Sequence, residues 1–178
     1  MGASGSSKES NNPKTKERVS KSLCKIMINN NVLGTGFLIK YFKGQENFFC
    51  LMSCEQIISK QLIQNKEIIG VYYDNEEKYK EIILDQNRRY IKNFEDIDID
   101  ATIIEILEKD KISEENFLLP EINHMKNLTK LNKEIIHIPH FPSERNIEFS
   151  EYKIIKLNKY EFIYQGNTGE CSPGSPYC

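Results

Sequence analysis

Two apolar runs joined by a short polar tip constrain the fold of this chain more than any other stretch. The first run covers residues 34–39 (GTGFLI), the second covers residues 48–58 (FFCLMSCEQII), and residues 43–47 (KGQEN) form the tip. Apolar runs on either side of a Gly-containing loop predict a β-hairpin. Gly34 and Gly36 flank one residue at the start of the first strand, which predicts a bend or a close approach of another segment.

Length and composition predict a globular protein. The chain has 178 residues, enough for one ordinary domain or for two small barrels, and its net charge of −2 gives no reason to expect a nucleic-acid partner. No apolar run approaches the roughly 20 residues of a membrane-spanning helix, and residues 2–22 lack the apolar centre of a secretory signal. We therefore expect a cytoplasmic protein.

The residue types that hold metals and cofactors do not form recognisable motifs here. Five cysteines in a chain without an export signal favour reduced thiols: Cys24, Cys50, Cys54, Cys171 and Cys178. No second Cys/His pair has zinc-ligand spacing, and neither a P-loop nor a dinucleotide fingerprint is present. The alternating Asp96, Asp98 and Asp100 lack EF-hand spacing. We expect neither a metal nor a cofactor.

The rest of the chain favours short strands joined by polar turns. Strands are predicted at residues 23–28, 66–73, 79–84, 149–157 and 160–164. Residues 59–64 predict a short helical turn after the central hairpin. Arg88 and Arg89 are adjacent in a polar stretch and predict a solvated loop.

Three short motifs resemble those of the trypsin-like serine peptidases, especially the short intracellular and bacterial type. In that family a G-[ST]-G-F-[LI]-I strand and its hairpin lead to the catalytic His, and residues 52–58 (MSCEQII) carry Gln56 in its place. Residues 100–106 (DATIIEI) resemble the strand that begins with the catalytic Asp, which puts Asp100 at that position. Residues 168–176 (TGECSPGSP) resemble the nucleophile loop, with Pro173 where the Ser is expected.

The resemblance implies an all-β fold of two antiparallel barrels of the six-stranded type, with the second barrel incomplete because only two residues follow the last motif. The composition of residues 1–20 predicts a disordered basic tail, and the resemblance implies a peptidase domain over residues 21–178. Within that domain we expect the first barrel at about 21–108 and a partial second barrel at about 117–178.

The residues at the positions of the catalytic base and the nucleophile also predict whether the protein is an active peptidase. Gln56 replaces the base, although its amide would still donate a hydrogen bond to Asp100, and Pro173 has neither a hydroxyl nor the backbone N–H that an oxyanion hole requires. The resemblance then implies an inactive pseudopeptidase that acts as a binding or decoy module for a protein or peptide ligand. Two alternatives stay open: an active serine-type endopeptidase with non-standard residues, and a non-functional truncated gene product.

Two further features concern histidine and the N-terminus. His137 and His140 fall in a stretch that is structural in the family, so we expect surface histidines rather than a replacement base or a metal pair. Residues 1–6 (MGASGS) fit the N-myristoylation signature, with Gly2 as the acylated residue. Six basic residues against two acidic ones between residues 8 and 25 would add attraction to an anionic membrane surface. The alternative is a solvated tail.

Overall fold

The computed structural model describes residues 13–43, 46–94, 100–120, 135–141, 147–157 and 162–165. Its helices are α1 (Pro13–Ser22) and α2 (Lys60–Gln64), and two 3₁₀ turns lie at Glu108–Asp110 and Glu114–Asn116. Its strands are β1 (Leu23–Ile28), β2 (Asn31–Lys43), β3 (Glu46–Ser53), β4 (Ile68–Tyr73), β5 (Lys78–Ile83), β6 (Ile91–Asn93), β7 (Thr102–Glu105), β8 (Ile135–His140), β9 (Glu148–Leu157) and β10 (Phe162–Gln165). The described chain is mostly β, as predicted.

The described strands form two antiparallel sheets. Seven strands are arranged in the order β5-β4-β1-β2-β3-β7-β6, and three follow the order β10-β9-β8. Strand β2 changes partner along its length, pairing with β1 up to Phe37 and with β3 from Phe37 onward. This exchange of partners helps to curl the larger sheet into a half-barrel. The division into two barrels stays a prediction.

The central hairpin predicted from the sequence is the β2–β3 pair. Gly36 lies in the part of β2 that pairs with β1. A Cβ atom on Gly36 would be 2.8 Å from Ile26 Cδ1 and 3.0 Å from the Met52 carbonyl oxygen. The predicted close approach is therefore confirmed at Gly36. A larger residue there would require the Ile26 and Leu51 side chains or the Met52 carbonyl to shift.

The main core lies on one face of the seven-stranded sheet, which alternation assigns to every second residue of each strand. It includes Cys24, Ile26, Leu38, Leu51, Ile69, Val71, Ile82 and Ile104, with Ile63 of α2 packed against them. The three-stranded sheet has a smaller cluster of Ile136, Ile138, Tyr152 and Ile154. Each fully buried aliphatic side chain contributes roughly 1.5–3 kcal/mol, so the seven-stranded sheet carries most of the hydrophobic stabilisation in the described residues.

Helix α1 begins within the segment that the sequence assigns to a disordered tail. Val19 is buried against the body of the protein. The Lys21 carbonyl accepts hydrogen bonds from the Asp74 backbone N–H at 3.2 Å and from Asn116 Nδ2 at 3.3 Å. These partners are far away in sequence, so the composition of the segment does not reveal them. None of the helices in the described residues is long and apolar enough to cross a membrane.

The prediction of a solvated loop is wrong for Arg89, although Arg88 is exposed. The Arg89 side chain is only 4% exposed, and its two terminal nitrogens donate to the two carboxylate oxygens of Asp110 at 2.8 and 3.1 Å. Arg89 Nη1 also donates to the Glu105 carbonyl at 2.8 Å. A bidentate pair of this kind offsets the cost of removing both charges from water.

The prediction of surface histidines is also wrong. His137 and His140 are 2% and 3% exposed, because both faces of β8 are covered from Ile136 to its end. His140 Nδ1 lies 3.2 Å from the Ile138 carbonyl oxygen. In the part of the chain that the structure describes, no three His, Cys, Asp or Glu side chains are grouped as metal ligands would be.

Candidate functional site

The candidate site begins where β3 ends. After Ser53 the chain turns sharply, and the Cys54 carbonyl accepts the backbone N–H groups of Ile57 at 3.2 Å and Ile58 at 3.1 Å. The turn places Gln56 at the surface, where its side chain is exposed. A residue at its tip is therefore open to solvent and to any ligand.

Hydrogen bonds from largely buried groups hold both ends of this turn. Ser53 Oγ donates to the Thr35 carbonyl at 2.7 Å. At the other end, Thr102 Oγ1 donates to the Ile58 carbonyl at 2.9 Å and accepts from Asn93 Nδ2 at 2.9 Å. Ser53, Thr35 and Thr102 are all buried, where such bonds are strong and their loss is costly. The turn is thus fixed to β2, β6 and β7.

Asp100 reaches the turn from the segment that precedes β7. Thr102 pairs with Ser53 in the β3–β7 ladder, and this register brings Asp100 beside the turn. Asp100 Oδ1 accepts the backbone N–H of Glu55 at 2.6 Å. The sequence predicts the Gln56 amide as the donor to Asp100, whereas the donor that the structure gives is the Glu55 backbone. Gln56 and Asp100 nevertheless lie on adjoining segments.

The remaining predicted positions cannot be placed. Pro173, with its neighbours Cys171 and Ser172, lies outside the described residues, and so does Gly2. Their roles as the nucleophile position and the acylation site stay predictions.

The described pair has limited chemistry. A Gln side chain is an amide that neither accepts nor releases a proton near neutral pH, so Gln56 cannot act as a general base. The Asp100 carboxylate already accepts one backbone N–H, which makes it a structural acceptor for the turn. Two of the three histidines of the chain lie in β8, which belongs to the three-stranded sheet and not to the seven-stranded sheet beside the turn.

The cysteine beside the turn is not an activated nucleophile. Burial raises the pKa of the Cys54 thiol, and the nearby Asp100 charge raises it further. Burial also raises the pKa of Cys50 to about 12. Because the thiolate is the reactive form, both thiols are poor nucleophiles at neutral pH.

Sequence reasoning missed several residues that shape the site. The Glu55 backbone N–H carries no side-chain signal, so no pattern identifies it as the donor to Asp100. Thr102 and Asn93 are polar residues in short strands, and no sequence pattern distinguishes them from exposed polar residues. Cys54 lies two positions before Gln56, and its proximity to Asp100 also depends on the fold.

Comparison with known proteins identifies the fold. No protein-family model and no curated protein matches the chain. Among solved structures, Rv3671c from M. tuberculosis H37Rv, a serine-to-alanine mutant in its inactive form, aligns with a TM-score of 0.56 at 15% identity, over 99% of this chain and 78% of that one. Deg5 aligns with a TM-score of 0.61 at 12% identity, over 99% of this chain and 82% of that one. Both are trypsin-like serine protease structures, and at these identities the likeness shows that fold alone.

Proposed function

We propose that this chain is a catalytically inactive relative of the trypsin-like serine peptidases that acts as a binding or decoy module for a protein or peptide ligand. The observation that carries the proposal is the turn after β3, where an exposed Gln56 stands beside Asp100 and the Asp100 carboxylate accepts a backbone N–H. In an active member of that fold, a carboxylate so placed would orient a His.

The expected loss of rate is large. Removing one oxyanion donor costs on the order of 10²–10³ in rate, and removing a triad base or nucleophile costs on the order of 10⁶. Gln56 removes the base, and Pro173 at the nucleophile position would remove both a hydroxyl and a backbone donor. The fold would then be retained for its surface rather than for its chemistry.

Hydrolysis of a denatured, fluorescently quenched protein substrate by the full chain tests the proposal. We expect no cleavage above the buffer rate and no labelling by a fluorophosphonate probe. Cleavage by the wild type that the probe blocks would show that the proposal is wrong and that another nucleophile acts.

A matched pair of double variants tests the assignment of positions. Gln56→His with Pro173→Ser restores both a base and a nucleophile, and we expect it to gain measurable hydrolysis and probe labelling. Gln56→His with Pro173→Ala restores the base and the backbone N–H but no nucleophilic hydroxyl, and it should stay silent. Equal behaviour of the two variants would contradict the assignment of Pro173 to the nucleophile position.

We also propose that Gly2 is N-myristoylated and that the acylated, cytoplasmic chain associates with anionic membrane surfaces. One myristoyl chain gives only marginal binding, so the basic residues that follow would supply the second attraction. Co-expression with N-myristoyltransferase should add the mass of one myristoyl group to the wild type and not to a Gly2→Ala variant. An unmodified wild type would contradict this proposal.

A further inference from the structure

An aromatic patch lies on the face of the seven-stranded sheet that points away from the main core. Tyr41 and Phe48 are paired in the β2–β3 ladder, and their ring centroids are 5.0 Å apart. Tyr90 directly precedes β6, and its ring centroid is 5.8 Å from that of Phe48, at an interplanar angle of 83°. Tyr41 and Phe48 are half-buried, whereas Tyr90 is 47% exposed. These three residues therefore present a continuous aromatic surface to solvent.

Glu105, the last residue of β7, places a carboxylate beside the aromatic patch. Its backbone N–H donates to the Tyr90 carbonyl at 2.8 Å, and its Oε2 atom accepts the Tyr90 backbone N–H at 2.7 Å. Alternation puts its side chain on the face opposite to the buried Ile104. Burial raises the pKa of the Tyr41 hydroxyl, and nearby groups that include Glu105 raise it further. The Glu105 charge thus acts on the rings of the aromatic patch.

This carboxylate carries a charge without a counterion in the part of the chain that the structure describes. Arg89 lies nearby, but its guanidinium pairs with Asp110 and donates to the backbone carbonyl of Glu105 rather than to the carboxylate. The Lys92 ammonium lies 5.6 Å from the centroid of the Phe94 ring. An uncompensated carboxylate at the surface favours a cationic ligand, because hydrogen bonds between ionised groups are the strong ones.

The backbone that carries these groups is fixed before any ligand arrives. Tyr90 and Glu105 are joined by the two reciprocal hydrogen bonds between β6 and β7. Beneath them, the buried Arg89 side chain donates to the Glu105 carbonyl at 2.8 Å and to both carboxylate oxygens of Asp110. A surface held in this way loses little conformational freedom when a ligand binds, which favours affinity.

We propose that the aromatic patch and Glu105 form a docking site for an arginine side chain of a basic peptide segment. The guanidinium stacks against the exposed Tyr90 ring and donates hydrogen bonds to the Glu105 carboxylate. The inference rests on the proposed function and names the ligand class of the binding module. Tyr and Arg are the residue types that most often dominate binding at protein interfaces.

The chemistry of the site favours arginine over lysine. A guanidinium is planar, is weakly hydrated and stacks on aromatic faces, and its fork of N–H groups matches a carboxylate. A lysine ammonium is a compact and strongly hydrated charge that makes no stacked contact. The Glu105 carboxylate has about four acceptor positions, and the Tyr90 N–H uses one of them. The remaining positions suffice for two hydrogen bonds from one arginine.

Fluorescence anisotropy with the full-length chain and fluorescein-labelled tetra-arginine tests the site, at an ionic strength of about 0.15 M that screens non-specific attraction. Glu105→Gln keeps an oxygen that accepts the Tyr90 N–H, and we expect it to weaken binding by about tenfold or more. Glu108→Gln is the matched control, because it removes the same charge from an exposed residue of the following 3₁₀ turn. It should stay within about twofold of the wild type. Labelled tetralysine should bind the wild type at least about fivefold more weakly.

The contribution of stacking is tested by a second pair of variants. Tyr90→Leu removes the exposed ring, and we expect it to weaken tetra-arginine binding by about fivefold. Phe42→Leu is the control, since Phe42 is 64% exposed on the same hairpin and alternation puts it on the other face from Tyr41. It should stay within about twofold of the wild type. Both side chains are exposed, so this pair decides the question even if Glu105→Gln fails to fold.

The binding position gives a further readout. In amide NMR spectra of the wild type, tetra-arginine should shift the signals of Phe48, Tyr90 and Glu105. The same peptide concentration should leave these signals unmoved in Glu105→Gln, because the variant lacks the charge that holds the ligand.

Any of four results would overturn the inference. Two of them are equal affinities of Glu105→Gln and Glu108→Gln, and shifts that map outside the aromatic patch and β7. The third is free arginine binding as tightly as the peptide, which would make the ligand a small guanidinium compound. The fourth is a wild-type dimer in sedimentation that Glu105→Gln abolishes, which would make the occupant a second copy of the chain. Failure here is distinct from failure of the proposed function, since hydrolysis by the wild type would overturn that function and leave the aromatic patch untouched.

Discussion

At the scale of single residues, the ion pair between Arg89 and Asp110 removes both of its charges from water. Both side chains are less than a tenth exposed. Asp110 also accepts the backbone N–H of Leu107 at 2.7 Å, so the pair ties the loop before β6 to the 3₁₀ turn after β7. Removal of either partner would leave the other charge buried.

We expect Asp110→Asn to destabilise the protein by roughly 3–5 kcal/mol, because the Arg89 charge would remain buried without its counterion. The free energy of unfolding in urea measures this effect. Arg88→Gln is the control, since Arg88 is exposed and its contact with Asp85 is 3.4 Å long; its cost should stay below about 1 kcal/mol. An Asp110→Asn protein as stable as the control would contradict the expectation.

Buried thiols give a second prediction at this scale. Because burial raises the pKa of Cys50 to about 12, its thiolate fraction at pH 8 is about 10³-fold below that of an unperturbed Cys. Iodoacetamide at pH 8 should therefore leave Cys50 and the equally buried Cys24 unmodified in the folded protein and alkylate both in urea. Mass spectrometry of the digested protein gives the result, and rapid alkylation of folded Cys50 would be the contrary outcome.

At the scale of elements, helix α2 shows how a short helix is closed at both ends. Ser59 caps its start, with Oγ accepting the Leu62 backbone N–H at 3.4 Å. At its end the Lys66 N–H donates to the Ile63 carbonyl and the Glu67 N–H donates to the Leu62 carbonyl, both at 3.1 Å. These bonds form a Schellman motif, in which the residue at the position of Lys66 adopts a left-handed conformation and is usually Gly.

Lys66 has φ 54°, so we expect Lys66→Gly to stabilise the protein by about 0.5–1 kcal/mol and to raise Tm by about 2–4 °C. Lys66→Ala is the control, because it removes the 3.4 Å ion pair with Asp85 and keeps the strained φ. It should give no gain in thermal unfolding experiments. A lower Tm for Lys66→Gly than for Lys66→Ala would count against this account of the turn.

Elements with strong local signals could be predicted from the sequence. The sequence predicts the first strand at residues 23–28, and β1 covers the same residues. The reason is local, since Asn29 and Asn30 follow with φ 48° and 63°, and Asn adopts this region more readily than most residues. The central hairpin and the short helix before Asn65 were predicted for similar local reasons.

Features that depend on distant partners could not be predicted. Nothing near Arg89 indicates that Asp110, 21 positions later, will bury it. The burial of His137 and His140 depends on how the three-stranded sheet packs against its surroundings. At the candidate site, the resemblance predicts Gln56 and Asp100 as triad-equivalent positions, and that assignment stays a prediction, whereas the Glu55 donor depends on the register of the β3–β7 ladder. Local pattern therefore predicted several strands, but the contacts between distant residues could not be predicted.

At the scale of the whole molecule, the two sheets differ in the number of apolar side chains that the described residues bury on them. The described cluster of the three-stranded sheet has four buried residues, with Tyr164 packed against it. The described main cluster has seventeen buried residues, which come from α2, from all seven strands of the larger sheet and from the segments that join or follow them.

Hydrogen exchange should therefore separate the sheets. We expect the amides of β8, β9 and β10 to open with a lower free energy than those of β1, β2 and β3, because fewer buried apolar side chains among the described residues pack against them. Exchange measured by mass spectrometry on peptides from each strand provides the comparison. Equal protection in both groups would mean that the sheets open only together.

The pairing of β7 with β3 has a consequence for the order in which the chain folds. The β1–β2 and β2–β3 hairpins join neighbouring segments, whereas the contact between Glu55 and Asp100 spans 45 residues. Closing a loop of that length costs roughly 3 kcal/mol of chain entropy before the contact is made. We therefore expect the candidate site to form late in folding. Kinetic φ-values, which compare the effect of a mutation on the folding rate with its effect on stability, should be near 0 at Thr102 and higher in the β2–β3 hairpin. A nascent chain would possess strands β1, β2 and β3 before it possesses the Asp100 contact that completes the site.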